Sequence, residues 1–273
     1  MKMGKIKTLL KSGVLLDLYF FKNNKGNFIA MLIWPYLMLG LVVGMGFLFG
    51  SPSTFKKNIG LNIDPIAYFI ASTVVMMASI SVMWEVGGNV LFLRWLGALP
   101  YVIVAPHRMS IILVLSYVPR YLFYTFIQVV EFLPLLVLLE GVTAGIIKTL
   151  IMLLAVTVGM LPLLGFSALF ASLLLIIKEE SNILNWLNPV ILIFSGALYP
   201  TSLMPYWMWL ISRVLPTTYT VELARTIALI GSPELAPIMF LIGILMGLAV
   251  VYNILSYMLI GAGEKSAMKR GII

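Results

Sequence analysis

Long uncharged apolar stretches alternate with short charged segments along the whole chain. Crossing a hydrocarbon core of about 30 Å takes about 20 apolar residues in a helix. Six stretches meet this length or come close to it: Phe28–Gly50, Ile66–Trp84, Tyr121–Leu139, Thr149–Ile177, Trp186–Leu198 with its flanking residues, and Leu235–Gly263. The pattern predicts an all-α membrane protein with six transmembrane helices.

Three segments depart from this alternation. Residues 1–26 carry apolar side chains at helical spacing between lysines, which predicts an amphipathic helix lying in the membrane interface. Residues 85–120 are too apolar for a loop, so we expect them to pack on the bilayer surface or on a partner. Residues 199–234 are rich in proline and aromatic residues and too short to span twice, which indicates re-entrant helices before the last span. The sequence then divides into an interfacial helix (1–26), a membrane domain (27–263) and a tail (264–273).

Composition and charge define the class and the orientation. Apolar residues make up 62% of the 273 residues and charged ones 10%, against about 45–50% and about 25% in soluble domains. This excludes a soluble enzyme, a disordered linker and a nucleic-acid binder. Thirteen of the 18 Lys and Arg residues fall on the side of the N-terminus, so the positive-inside rule predicts a multi-pass protein of the cytoplasmic (inner) membrane with both termini cytoplasmic.

Two motifs fall in the atypical segments. One runs from Gly97 to Arg108 and reads GALPYVIVAPHR; the other runs from Phe194 to Arg225 and contains FSGALYP, LMP, LPTTY and VELAR. They resemble motifs of the type-2 permease family of ABC transporters: the cytoplasmic Gly-Thr-Leu-Glu motif, and the signature around the fifth span and the outer helices. Pro100 stands where the family has Glu, so the ion pair or cap of that Glu cannot form, but Pro suits the first turn of a short helix.

The resemblance implies a function for the membrane domain. It implies that the chain is the permease, or pore subunit, of an ATP-driven exporter. Two permease copies would form a dimer, with the homodimer as the expected form. A separate cytoplasmic ATPase would hold ATP and Mg. The chain has no G-x-x-x-x-G-K-[ST] phosphate loop, no cysteine and one histidine. We therefore expect no enzymatic activity, cofactor or metal in this chain, and the lipid bilayer rather than nucleic acid as its surroundings. The expected substrate is amphipathic, lipid-like, drug-like or a lipid-linked glycan.

The resemblance also assigns residues to three sets. The coupling helix that docks on the ATPase is expected to include Arg94, Gly97, Leu99, Pro100, Tyr101, Pro106 and Arg108, with the two arginines able to meet acidic groups of the partner. The signature and outer gate are expected to include Ser195, Gly196, Pro200, Pro205, Pro216, Thr217, Glu222 and Arg225, of which Glu222 and Arg225 are spaced to pair locally. Gly40 and Gly44 form a G-x-x-x-G pair in the first span, which is expected at the dimer contact.

Glu131 is the acid that falls inside a predicted span. About eleven residues into the stretch that begins at Tyr121, it would lie about 16 Å deep at 1.5 Å per residue; a helix that begins near Met109 would place it differently. Ionisable groups at such depth point to a function. Two roles remain open, a cationic substrate path and a structural hydrogen bond. The alternative function is an ion-gradient-coupled secondary transporter that uses Glu131.

Overall fold

The computed structural model describes residues 3–48, 65–105, 109–176, 183–229 and 235–269. Within these ranges every regular element is helical, which confirms the predicted all-α class. The α-helices are α1 (Met3–Asn23), α2 (Lys25–Leu48), α3 (Pro65–Val82), α4 (Asn89–Trp95), α5 (Leu99–Ile103), α6 (Met109–Val130), α7 (Leu133–Glu140), α8 (Val142–Ile176), α9 (Ile183–Phe194), α10 (Tyr206–Val214), α11 (Pro216–Leu229) and α12 (Leu235–Lys269).

Four helical stretches in the described ranges are long and apolar enough to cross a membrane. They are Ile66–Trp95, Tyr121–Glu140, Val142–Leu175 and Leu235–Ser266. Two further apolar helices, Phe28–Gly44 and Asn185–Phe194, are shorter. The chain is therefore a polytopic helical protein suited to a membrane by length and composition, and six full spans remain a prediction.

The bundle is organised around α8, which packs against α12, α11, α3 and α7. Small residues bring the helices close. A Cβ added at Gly159 would lie 2.2 Å from the Thr220 side chain of α11, and one at Gly165 would lie 2.6 Å from the backbone nitrogen of Asn253 in α12. α3 is almost wholly enclosed by its neighbours, whereas α12 is mostly exposed. Central α3 and α8 thus form the core, and α12 presents most of its surface outward.

The third predicted span is interrupted in the structure. α6 begins at Met109, well before the predicted start, and ends at Val130. α7 begins at Leu133 with Pro134 in its first turn. Proline lacks an N–H and its ring crowds the carbonyl four residues earlier, which here belongs to Val130, so the helix ends there. Glu131 therefore lies at a two-residue break between two helices, inside the stretch Tyr121–Glu140 that is still long and apolar enough to cross a membrane.

The N-terminal and outer segments are also helical. α1 packs along α6 and leaves Leu18 and Tyr19 exposed; its place in the membrane interface stays a prediction. Residues 199–229 form a short 3-10 turn at Thr201–Leu203 followed by α10 and α11. Whether these helices dip into the membrane also stays a prediction, and residues 230–234 lie outside the described ranges.

Candidate functional site

The turn after α9 is built to present two carbonyl groups to the interior. Gly196 has φ +79, a conformation that favours glycine, and an added Cβ would lie 2.9 Å from the Thr201 methyl. The backbone N–H of Ala197 donates to the hydroxyl of Ser195 at 3.2 Å. Ser195, Gly196 and Ala197 are all buried, so the carbonyls of this turn need donors from within the protein.

Arg225 on α11 supplies those donors. Its two terminal nitrogens donate to the carbonyls of Gly196 and Ala197, both at 2.7 Å, and its Nε donates to the hydroxyl of Ser72 at 2.8 Å. The guanidinium carbon lies 3.8 Å from the ring centroid of Tyr68, within the range of a cation–π contact. Arg225 is 7% exposed. One buried cation thus joins α11, the turn and the beginning of α3; we call these five residues the arginine cluster.

Glu222 does not form the predicted pair with Arg225. Its carboxylate accepts from the Thr201 hydroxyl at 2.8 Å and lies 3.6 Å from a terminal nitrogen of Arg213 on α10. The i, i+3 spacing placed both residues on one side of α11, but the carbonyl acceptors draw the arginine inward. Glu222 instead joins α10, α11 and the 3-10 turn at the rim of the arginine cluster.

The remaining signature residues surround this arrangement. Pro200 precedes the 3-10 turn, Pro205 precedes α10, and Pro216 is the first residue of α11. Thr217 is buried, and its hydroxyl has no hydrogen-bond partner in the described part of the chain. Ser72 and Tyr68 were not predicted, because nothing in an apolar stretch marks one serine or tyrosine as the partner of a distant arginine.

The motif that begins at Gly97 follows the other end of α3. A π-helical turn (Met83–Gly87) continues α3 into α4, and Ser72 and Arg94 lie about 33 Å apart at 1.5 Å per residue. Gly97, with φ +65, then separates α4 from α5. The two motif segments are therefore at opposite ends of one nearly continuous helical rod.

The segment from Trp95 to Val104 is anchored on one side and exposed on the other. Leu99 is buried, and Pro100 lies in the first turn of α5 as predicted. Tyr101 and Val104 are 77% and 78% exposed, and Trp95 and Leu96 are also exposed. We call this the apolar hairpin. Pro106 and Arg108, the other predicted members of this set, lie outside the described residues.

Arg94 contributes to the anchoring of this segment. A terminal nitrogen of its guanidinium donates to the carbonyl of Leu174 in α8 at 2.6 Å. The prediction had this arginine facing acidic groups of a partner. In the structure this donor is turned inward, so that α4 is tied to the central helix of the bundle.

Glu131 and the glycine pair of α2 have different surroundings. Both carboxylate oxygens of Glu131 are enclosed and have no hydrogen-bond partner in the described ranges. The Tyr36 hydroxyl donates to the main-chain carbonyl of Glu131, which ties α2 to the helix break.

Gly40 and Gly44 of α2 are exposed, with open space where a Cβ would stand. Among the described residues, no contact therefore requires glycine at these two positions.

Comparison with protein families and with curated proteins gives no identification. No protein-family model matches the chain, and no curated protein matches it significantly. The functional argument therefore depends on the arginine cluster, the apolar hairpin and the surroundings of Glu131.

Proposed function

We propose that this chain is the transmembrane pore subunit of an ATP-driven ABC exporter in the cytoplasmic membrane. Two copies would form the pore, and a separate cytoplasmic ATPase would hold ATP and Mg. The substrate would be amphipathic, lipid-like, drug-like or a lipid-linked glycan. The observation that carries the proposal is the apolar hairpin, an exposed aromatic and aliphatic surface on a firmly anchored turn.

An exposed apolar surface of this kind is stabilised when a partner protein buries it. Burying apolar surface stabilises by about 25 cal/mol per Å², and large exposed apolar patches mark interaction sites. The exposed side chains lie at the last residue of the α3–α4 rod and beyond it: Trp95, Leu96, Tyr101 and Val104. By the positive-inside prediction this end faces the cytoplasm, where an ATPase could cover the hairpin.

The anchoring favours a docking element that transmits force. Leu99 is buried beneath the hairpin, and Arg94 bonds to α8. At the far end of the α3–α4 rod, Ser72 bonds to Arg225, which holds the turn of Gly196. A displacement of the hairpin would therefore act on two core helices, and through α3 on the arginine cluster at the predicted outer gate.

Single substitutions on exposed tyrosines test this proposal. Tyr101→Asp in the apolar hairpin should abolish co-purification of a nucleotide-binding ATPase and ATP-dependent transport, because a carboxylate would oppose apolar docking. Tyr206→Asp is the matched control, since Tyr206 is 74% exposed at the opposite end. It should leave the ATPase bound. Retention of the ATPase by both variants, or ATP-independent transport by the chain alone, would contradict the proposal.

A second candidate function is ion-gradient-coupled transport through Glu131. It is favoured by the enclosed carboxylate, which has no hydrogen-bond partner in the described ranges, because ionisable groups inside a membrane mark ion pathways and proton relays. Transport in sealed vesicles with an ion gradient and no ATP, lost in Glu131→Gln, would support it. Unchanged transport by that variant would instead favour a structural role for Glu131.

A further inference from the structure

A cavity of about 340 Å³ opens between α2, α3 and α6. Its volume falls in the range of small-molecule sites, about 300–1,000 Å³. The floor is buried, with Met77 and Gln128, whereas Trp34 and Trp84 at the rim are half-exposed. The described lining also includes Met31, Glu85 and Tyr124. The cavity is therefore a lateral pocket that opens toward the outside of the bundle.

The π-helical turn contributes two of the lining residues. The N–H of Gly88 donates to the carbonyl of Met83, five residues back, at 3.3 Å. Ser167 of α8 stabilises the widened turn: its hydroxyl donates to the Val82 carbonyl at 3.0 Å and accepts from the Gly87 N–H at 3.1 Å. Such turns occur frequently at functional sites. Here the turn carries Trp84 and Glu85 into the wall of the pocket.

The described lining is rich in acceptors and aromatic rings and contains no basic side chain. Glu85 provides a carboxylate. Gln128 is 5% exposed, its Oε1 has no hydrogen-bond partner in the described ranges, and its Nε2 lies 3.5 Å from the Ser81 hydroxyl. Buried acceptors normally have a donor from protein, water or ligand. Tyr124 and the two rim tryptophans offer ring faces to a cation.

We propose that this pocket binds an amphipathic organic ammonium ion. Its N–H would donate to Oε1 of Gln128, its charge would lie near Glu85, and its apolar body would contact Trp34, Trp84 and the methionines. Since the rim is exposed, the ligand would enter sideways from the lipid. The binding site is inferred from the pocket alone; its role as a substrate site depends on the proposed exporter function and narrows the substrate to cationic amphiphiles.

Binding to the full chain in nanodiscs, corrected with empty nanodiscs, tests the proposal. The probe is 4-phenylbutylammonium, and 4-phenylbutanoate is the anion of matched shape. We expect saturable binding of the cation and at least tenfold weaker binding of the anion. Glu85→Gln and Gln128→Leu should each weaken cation binding about tenfold, the effect of losing one charge-assisted hydrogen bond. Glu264→Gln is the control, because it keeps an acceptor for the Met109 N–H outside the pocket.

Three results would overturn the inference. These are equal binding of cation and anion, no saturable binding of the cation, and unchanged affinity in both pocket variants. Correctly folded protein is verified for every variant by its helical circular dichroism. The two proposals fail separately. If the chain binds an ATPase but no ammonium ion, only the proposed ligand is refuted. If it binds the ammonium ion but no ATPase, only the proposed exporter function is refuted.

Discussion

Replacing Arg225 by methionine should destabilise the protein by about 2–4 kcal/mol. The change leaves the buried carbonyls of Gly196 and Ala197 without donors, which costs about 1–3 kcal/mol each. It also removes the contact with Tyr68, worth about 1–2 kcal/mol. An opposite effect raises the free energy of unfolding by several kcal/mol, because folding of the variant no longer removes a guanidinium from water. Ser72 keeps a partner, because its hydroxyl also donates to the Tyr68 carbonyl at 2.9 Å.

Reversible unfolding in mixed micelles titrated with dodecyl sulfate, followed by far-ultraviolet circular dichroism, measures this difference. Arg213→Met is the control. Arg213 is about one-third exposed and lies 3.6 Å from the Glu222 carboxylate, so its loss should cost less than about 1 kcal/mol. A stability of Arg225→Met within about 0.5 kcal/mol of the control would show that the arginine cluster does not hold the turn.

Three further substitutions test the packing and the pocket. Gly165→Ala should lower the free energy of unfolding by about 1–3 kcal/mol in the same assay, because its Cβ would meet the α12 backbone. Gly243→Ala is the control and should not lower it, because a Cβ there would meet open space. Equal losses of stability in the two variants would contradict the close approach of α8 and α12. Ser167→Ala should weaken ammonium binding severalfold while retaining helicity; unchanged binding would argue against a role of the π-helical turn. Lys148→Met should lower stability by about 1 kcal/mol by removing the 2.6 Å bond to Glu140, and Lys148→Arg should restore most of it.

The hydrophobic pattern predicts where most helices are but not where they begin and end. Charged residues mark the predicted span boundaries, so the prediction begins the third span at Tyr121 and the fourth at Thr149. In the structure α6 starts at Met109, and α8 continues through Lys148, whose charge is paired with Glu140. The break at Glu131 did have a signal in the sequence, because Pro134 removes the bond to the Val130 carbonyl.

The candidate sites depend on contacts between distant parts of the chain, which one sequence cannot reveal. Local motifs indicated Gly196 and Arg225 but not Ser72, which is 153 residues away from Arg225. Local spacing rules predicted an ion pair of Glu222 with Arg225, whereas the acceptors provided by the fold determine the actual partner. Likewise, nothing in the sequence indicated that Ser167 would stabilise a widened turn in α3 and so shape the pocket.

The arginine cluster also has a consequence for the order of synthesis. Ser72 leaves the ribosome 153 residues before Arg225, an interval of about 8–30 s at about 5–20 residues per second. During this time α3, the most enclosed of the long helices, lacks α11 as a neighbour, and α8 is completed only in the later part of the interval. Until Arg225 has been made, the Ser72 hydroxyl keeps only its bond to the Tyr68 carbonyl, and the carbonyls of Gly196 and Ala197 wait for their donors. Closure of the arginine cluster is therefore a late event, which waits for the synthesis of α11.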